Sequence, residues 1–356
     1  MTKNKSRGIV KTILMVIGVL LCAIIVVAAG YIINNLNYFH WDRNKVTKAG
    51  FQEKQFTIGD TILNYAEGPS NGPALLLIHG QIGNWENYAK VLPELSKHYH
   101  VYVVDCHGHG KSSKNPEKYN VESMGKDFIQ FITQIIKKPT VVSGHSSGGL
   151  LAAWLAANSP ENVVGVVLED PPFFSSELPR YKETFAYVDM SLTCHHFLQQ
   201  GVEDDFTRYY IKNCYWIKFF QDGQKVITNY ALSYREKHPH APLKIFFFPP
   251  SMNEPFRTMD LYDPYFGDTF YDGSWHKNFD HAEALSKITC PSVLIHTNWS
   301  YDKHGILLAA MDEKDADRAH SLLKNDALIN VKSGHGFHFE KPKDFIKIMI
   351  DFKDRI

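Results

Sequence analysis

The sequence carries no surplus of either charge: 38 lysines and arginines face 38 aspartates and glutamates, with an isoelectric point near 7.3. Nucleic-acid binding rests on neutralised phosphates, so a balanced chain without a basic run gives no case for a nucleic-acid partner. Cysteine is scarce. Cys22, Cys106, Cys194, Cys214 and Cys290 are scattered and fit neither a metal site nor a disulfide framework; no metal and no organic cofactor are expected. Cys194 and Cys214 are the one pair worth testing for a bridge, should the domain lie outside the cell. Internal repeats and low-complexity tracts are missing as well, while 44% apolar and 13% aromatic content is ample for a large core.

What the chain does have at its start is a single long uncharged run. Residues 12–33, TILMVIGVLLCAIIVVAAGYII, follow Lys3, Lys5, Arg7 and Lys11. At about 1.5 Å per residue this run crosses a hydrocarbon layer of about 30 Å. It is expected to be a transmembrane helix, with residues 1–11 as a basic cytoplasmic flank and 34–50 as a juxtamembrane linker. The single-pass topology places the remaining domain outside the cytoplasm, although Arg43, Lys45 and Lys48 weaken the charge bias. The alternative is a cleaved signal peptide with a secreted product. Leu21 stands before Cys22 where a lipoprotein signal needs a small residue.

From residue 51 strand-like and helix-like segments alternate. ALLLI, VYVV, TVVS and VVGVVLE are short apolar runs typical of strands buried on both faces, and the alternation implies a mostly parallel sheet covered by helices on both sides. Residues 85–97 and 122–137 are expected to be helical. In VVSGHSSGGLLAAWLAAN, two β-branched residues end a strand, Gly144 to Gly148 form a sharp turn, and small and apolar residues continue as a helix. A G-x-S-x-G turn between strand and helix strains the central serine and lifts its hydroxyl above the sheet, which makes Ser146 the candidate nucleophile.

LLLIHG at 75–80, DCHGHGKS at 105–112, GHSSG at 144–148, LEDPP at 168–172 and GHGFHFEKP at 334–342 follow one another in the order and spacing of a known superfamily. Over residues 51–356 the chain resembles the α/β-hydrolases, in the branch with a serine nucleophile and a cap. Haloalkane dehalogenases and epoxide hydrolases carry Asp where this chain has Ser146. His107 departs from the arginine of many relatives. The resemblance implies an α/β-hydrolase core in two parts, 51–170 and 291–356, with a helical cap at 171–290 inserted after strand six.

It also implies a base. Among 18 histidines the resemblance favours His335, directly after Gly334, over His338. Two carboxylates compete to orient it. Asp302, in the loop after strand seven where Thr297 replaces a glycine, is preferred; Asp170, at the end of strand six, is the alternative. Asp312, Asp315 and Asp317 read as the first turns of a helix. The backbone N–H groups of Gln81 and Ser147 are the expected oxyanion donors, and His79 a structural residue holding its loop.

Together these features lead to the expectation of a membrane-anchored, carboxylesterase-like serine hydrolase acting on a small apolar ester or acyl substrate. An acyltransferase, lactonase or aminopeptidase with the same triad is the alternative among enzymes. A catalytically silent binding module is the alternative outside them.

Overall fold

The computed structural model describes residues 2–239 and 241–356; within the first ten residues, Arg7 alone has a described side chain. Lys3 and Lys5 of the expected basic flank therefore lie outside the described side chains. The core is an eight-stranded sheet formed by β1 (Gln52–Ile58), β2 (Thr61–Glu67), β3 (Ala74–Ile78), β4 (His100–Val104), β5 (Thr140–His145), β6 (Val163–Glu169), β7 (Ser292–His296) and β8 (Leu328–Asn330). Their spatial order is β1-β2-β4-β3-β5-β6-β7-β8. The hairpin β1–β2 closes on Gly59 and Asp60 and pairs antiparallel with β4, and the other pairings are parallel.

The helices in chain order are α1 (Thr2–Lys48), α2 (Leu92–Leu95), α3 (Val121–Phe131), α4 (Ser147–Asn158), α5 (Leu192–Gln199), α6 (Phe206–Asn213) and α7 (Gln224–Lys237). They continue with α8 (Pro250–Thr258), α9 (Pro264–Tyr271), α10 (His281–Lys287), α11 (Glu313–Leu322), α12 (Phe337–Glu340) and α13 (Pro342–Lys353). Alternate strand residues feed two cores, as a period of two requires. Leu76, Ile78, Val104 and Leu168 pack with α3, α4 and the cap, whereas Leu75, Leu77, Val103 and Val167 pack with α2 and α13. Each fully buried aliphatic side chain contributes about 1.5–3 kcal/mol. The helix expected over 85–97 is broken into a short turn at Trp85–Tyr88 and α2, which starts afresh at Leu92 with Pro93 in its first turn.

The segment expected as a cap, 171–290, holds helices α5 to α10, of which α10 packs against α4 and α11. Cys194 and Cys214 are both buried and free, and the Cys194 thiol points at the Met190 sulfur, 3.6 Å away.

The linker expected at 34–50 is helix. α1 runs unbroken to Lys48, and at about 1.5 Å per residue it is roughly 70 Å long. Its first half exposes Ile13, Ile17, Leu20, Ile24 and Val27, and it is the one helix among the described residues long and apolar enough to cross a membrane, with mean hydropathy 3.1. Its second half docks on the domain. Residues 35, 38, 42 and 46 share one helical face, and Asn35, Tyr38, Asp42 and Val46 are all buried. Val46 enters the core of Trp85, Leu92 and Leu95. Gly50, at φ +89°, ends the helix in the left-handed conformation a C-terminal cap favours.

A docked rather than flexible segment should contribute to stability. Val46→Ala removes two buried methyl groups, worth about 1–2 kcal/mol with the residual cavity. The thermal midpoint of the intact chain in detergent should fall by a few degrees, and an unchanged midpoint would show that this half of α1 is not part of the core.

Candidate active site

Ser146 sits between β5 and α4 at φ 55°, ψ −124°, a backbone conformation costing about 1–3 kcal/mol for a residue with a side chain. The surroundings enforce it. Its N–H donates to the Glu169 carbonyl at 2.9 Å, and its own carbonyl accepts from the Gly149 N–H at 2.8 Å. Side chains are excluded at the flanking glycines. A Cβ on Gly144 would run into the Gly148 carbonyl, and one on Gly148 into the carbonyl of Ile78. Gly80 passes so close that a Cβ there would lie 2.8 Å from Ser146 Cβ.

Ser146 and His335 line the same cavity, about 450 Å³ in volume, whose wall in the cap is mainly apolar: Tyr181, Phe185, Met190, Trp216, Met252 and Phe256. Neither the Gln81 nor the Ser147 N–H donates to a partner among the described residues, and both residues line this cavity beside Ser146. Ser147 begins α4, so its amide belongs to the positive end of the helix dipole.

The carboxylate facing His335 is Asp170, which corrects the preference for Asp302. His335 Nδ1–H donates to Asp170 Oδ2 at 2.7 Å. The same carboxylate accepts from the Thr297 hydroxyl at 2.7 Å and the Thr297 N–H at 3.2 Å. Asp170 is fully buried, and at φ 45° it too is in a strained conformation. Asp302 is occupied elsewhere. It accepts the Tyr215 hydroxyl at 2.6 Å and the N–H groups of His304 and Ile306, closing its own turn. Asp312 caps α11 through the Asp315 N–H and pairs with Arg180.

His338 is turned away from the cavity. Its Nδ1 and its backbone N–H both bond Glu169 Oε1 at 2.8 Å, and its ring stacks on Tyr88. His79 bridges two loops: Nδ1–H donates to the Gly80 carbonyl at 2.7 Å, and Nε2 accepts the Cys106 N–H at 2.9 Å. Burial lowers its pKa to about 4, so the ring stays neutral. His107, the departure from many relatives, is buried and paired with Asp127 at 2.9 Å. One contributor that sequence reasoning passed over is His145, whose Nε2–H donates to the His335 carbonyl at 2.9 Å. The signal was its place inside the elbow itself. Desolvation and the neighbouring His335 and His338 hold its pKa far below 6.5, so it remains a neutral donor. For His335, desolvation lowers the pKa, but the hydrogen bond and charge of Asp170, with Glu169 and Glu340 behind it, outweigh this and raise it above 6.5.

A strained serine on an elbow and a histidine held by a buried aspartate, both at the carboxyl ends of parallel strands, define a hydrolase-type site. The alpha/beta hydrolase fold family matches residues 73–342, and the chain belongs to it. Over 101 residues it is 38% identical to the magnesium-chelatase 30 kDa subunit of Rhodobacter capsulatus, spanning 28% of this chain and 36% of that one. Over 159 residues it is 30% identical to fluoroacetate dehalogenase from Burkholderia sp, spanning 42% of this chain and 50% of the other. The chain thus spans a third to half the length of these curated relatives. A crystal structure of a membrane phospholipase A, described as a bacterial virulence factor, shares the fold with a TM-score of 0.59 and 20% identity, covering 96% of this chain and 97% of that one.

The Asp170 contact has a direct spectroscopic consequence. Titration of the His335 ring by NMR should give a midpoint above 6.5 in the native chain and a clearly lower one in Asp170→Asn, while Asp302→Asn leaves it in place. Equal midpoints in all three chains would remove Asp170 as the partner that governs this ring.

Proposed function

We propose that the chain is a membrane-anchored serine hydrolase that cleaves carboxylic esters with an apolar acyl group. The observation that carries the reading is the convergence, on one apolar cavity, of the strained Ser146 and the His335–Asp170 pair. His335 Nε2 takes the Ser146 proton as Oγ attacks the ester carbonyl, and the negative oxygen is received by the N–H groups of Gln81 and Ser147. Asp170 stays ionised and stabilises the imidazolium. Collapse expels the alcohol, which takes its proton from His335. Water, deprotonated by His335, then releases the acid and restores Ser146.

The apolar lining of the cavity supports an acyl chain over a polar group. α1 supports a single-pass anchor, with the catalytic domain outside the cytoplasm. Arg7 and Lys11 are exposed on the near side of the apolar run, whereas Arg43 on the far side is consumed by Glu86, Glu53 and the Trp85 ring. Likeness to a membrane phospholipase makes lipid esters the first substrates to try beside a chain-length panel.

Ser146→Ala should retain its fold and lose both ester turnover and fluorophosphonate labelling. Asp170→Asn should lower kcat by several orders of magnitude, on the scale of the ~10⁴ loss known for one serine triad, while Asp302→Asn changes kcat little. Because the neutral imidazole is the base, kcat/KM should rise with pH through a midpoint above 6.5. Full turnover in Ser146→Ala, or a profile flat from about pH 5 to 8, contradicts the mechanism. Separately, the full-length chain should resist alkaline extraction from membranes, and protease added outside intact cells should digest its domain. Survival of the domain would place it on the other side.

A further inference from the structure

Besides the Arg43–Glu86 ion pair, α1 reaches the candidate site through a chain of hydrogen bonds. The Tyr38 hydroxyl, buried beneath the cap, donates to Glu254 Oε2 of α8 at 2.6 Å. Glu254 Oε1 accepts the Asn87 amide at 2.7 Å and the Arg257 guanidinium at 2.7 Å. Arg257 continues to Glu86 at 2.8 Å and Asn84 at 3.1 Å, and the Thr258 hydroxyl donates to the Ile82 carbonyl. Three residues of α8, Glu254, Arg257 and Thr258, thereby grip residues 82–87. That loop begins at Gln81, and Asn87 closes it by accepting the Asn84 N–H at 2.7 Å.

Two features make Tyr38 more than one contact among several. α8 contains Pro255, which lacks an N–H for the helix ladder, so a nine-residue helix with an interior proline does not fix Glu254 by itself. Glu254 is also nearly buried, and Oε2 has Tyr38 as its partner. With that donor gone, a buried carboxylate oxygen is left unsatisfied and the group must turn, taking Asn87 and Arg257 with it. Burial and the Glu254 charge hold the phenol protonated far above its ordinary range, so it remains a donor throughout working pH.

We propose that Tyr38 is a positioning residue: its bond to Glu254 sets the 81–87 loop, and the docked half of α1 thereby keeps the Gln81 N–H aimed at the reacting carbonyl. This rests on the serine-hydrolase reading. It turns the helix that sequence marks as anchor and linker into a support of the oxyanion side of the site.

The test uses the full-length chain in detergent, as wild type, Tyr38→Phe, Asn87→Ala and the double variant. In Tyr38→Phe, amide hydrogen exchange should speed up within residues 79–91 and stay unchanged in the central strands. Fluorophosphonate labelling of Ser146 and kcat should fall together by about tenfold, the scale of one well-placed hydrogen bond, with KM within about twofold. In the Asn87→Ala background Tyr38→Phe should add little further loss, since both act on one connection. Unchanged exchange, unchanged kcat, or exchange that speeds up throughout the domain overturns the proposal, as does a full additional loss in the double variant. A wild-type chain that never reacts at Ser146 contradicts the hydrolase reading instead, and the exchange comparison still decides whether Tyr38 holds the loop.

Discussion

A carboxylate with no exposed surface must find strong partners, and Asp170 finds them at the ends of neighbouring strands. It follows β6, its hydroxyl and amide donors come from Thr297 after β7, and His335 comes from the loop after β8. The parallel order β5-β6-β7-β8 is what brings these ends to one edge. The adjacent Glu169 completes the arrangement: its carbonyl takes the Ser146 N–H, and its side chain holds His338 behind the site. Two consecutive residues of one strand end thus fix the backbone of the candidate nucleophile and the ring of the candidate base. Misplacing either disturbs both.

Around that edge the fold separates polar from apolar tasks. The cap surrounds the cavity with aromatic and aliphatic side chains, while Gln81 after β3 and Ser147 after β5 line it beside Ser146. α1 contributes from outside the sheet. Its apolar half is exposed, its polar half is packed against α8 and the core of Trp85 and Leu92, and no flexible segment separates the two.

The parts of this site legible in the sequence are those encoded locally. The elbow spans five residues whose glycines answer to immediate neighbours, so Ser146 can be read from the string alone, and the parallel strands show as short apolar runs. His335 was legible through its place after the last strand. Asp170 was legible only as the alternative to Asp302, because which strand end lies beside His335 is set by long-range pairing. Asp302 also has a local use as the cap of its own turn. The docked half of α1 escaped notice for another reason. Its buried face consists largely of Asn35, Tyr38 and Asp42, polar residues whose apolar pattern is weak, and the partners of Asn35 and Tyr38 lie 211 and 216 residues later. Thr297 was visible only as a missing glycine.

The central claim is covalent: the acyl group passes through Ser146 Oγ. It is tested most directly by acid-quenching the full-length chain during turnover of a slowly deacylating ester and mapping the modified peptide by mass spectrometry. The account predicts a mass increase equal to the acyl group, confined to Ser146 and missing from Ser146→Ala. Turnover with no acyl adduct at all, or with the adduct on another residue, would contradict it.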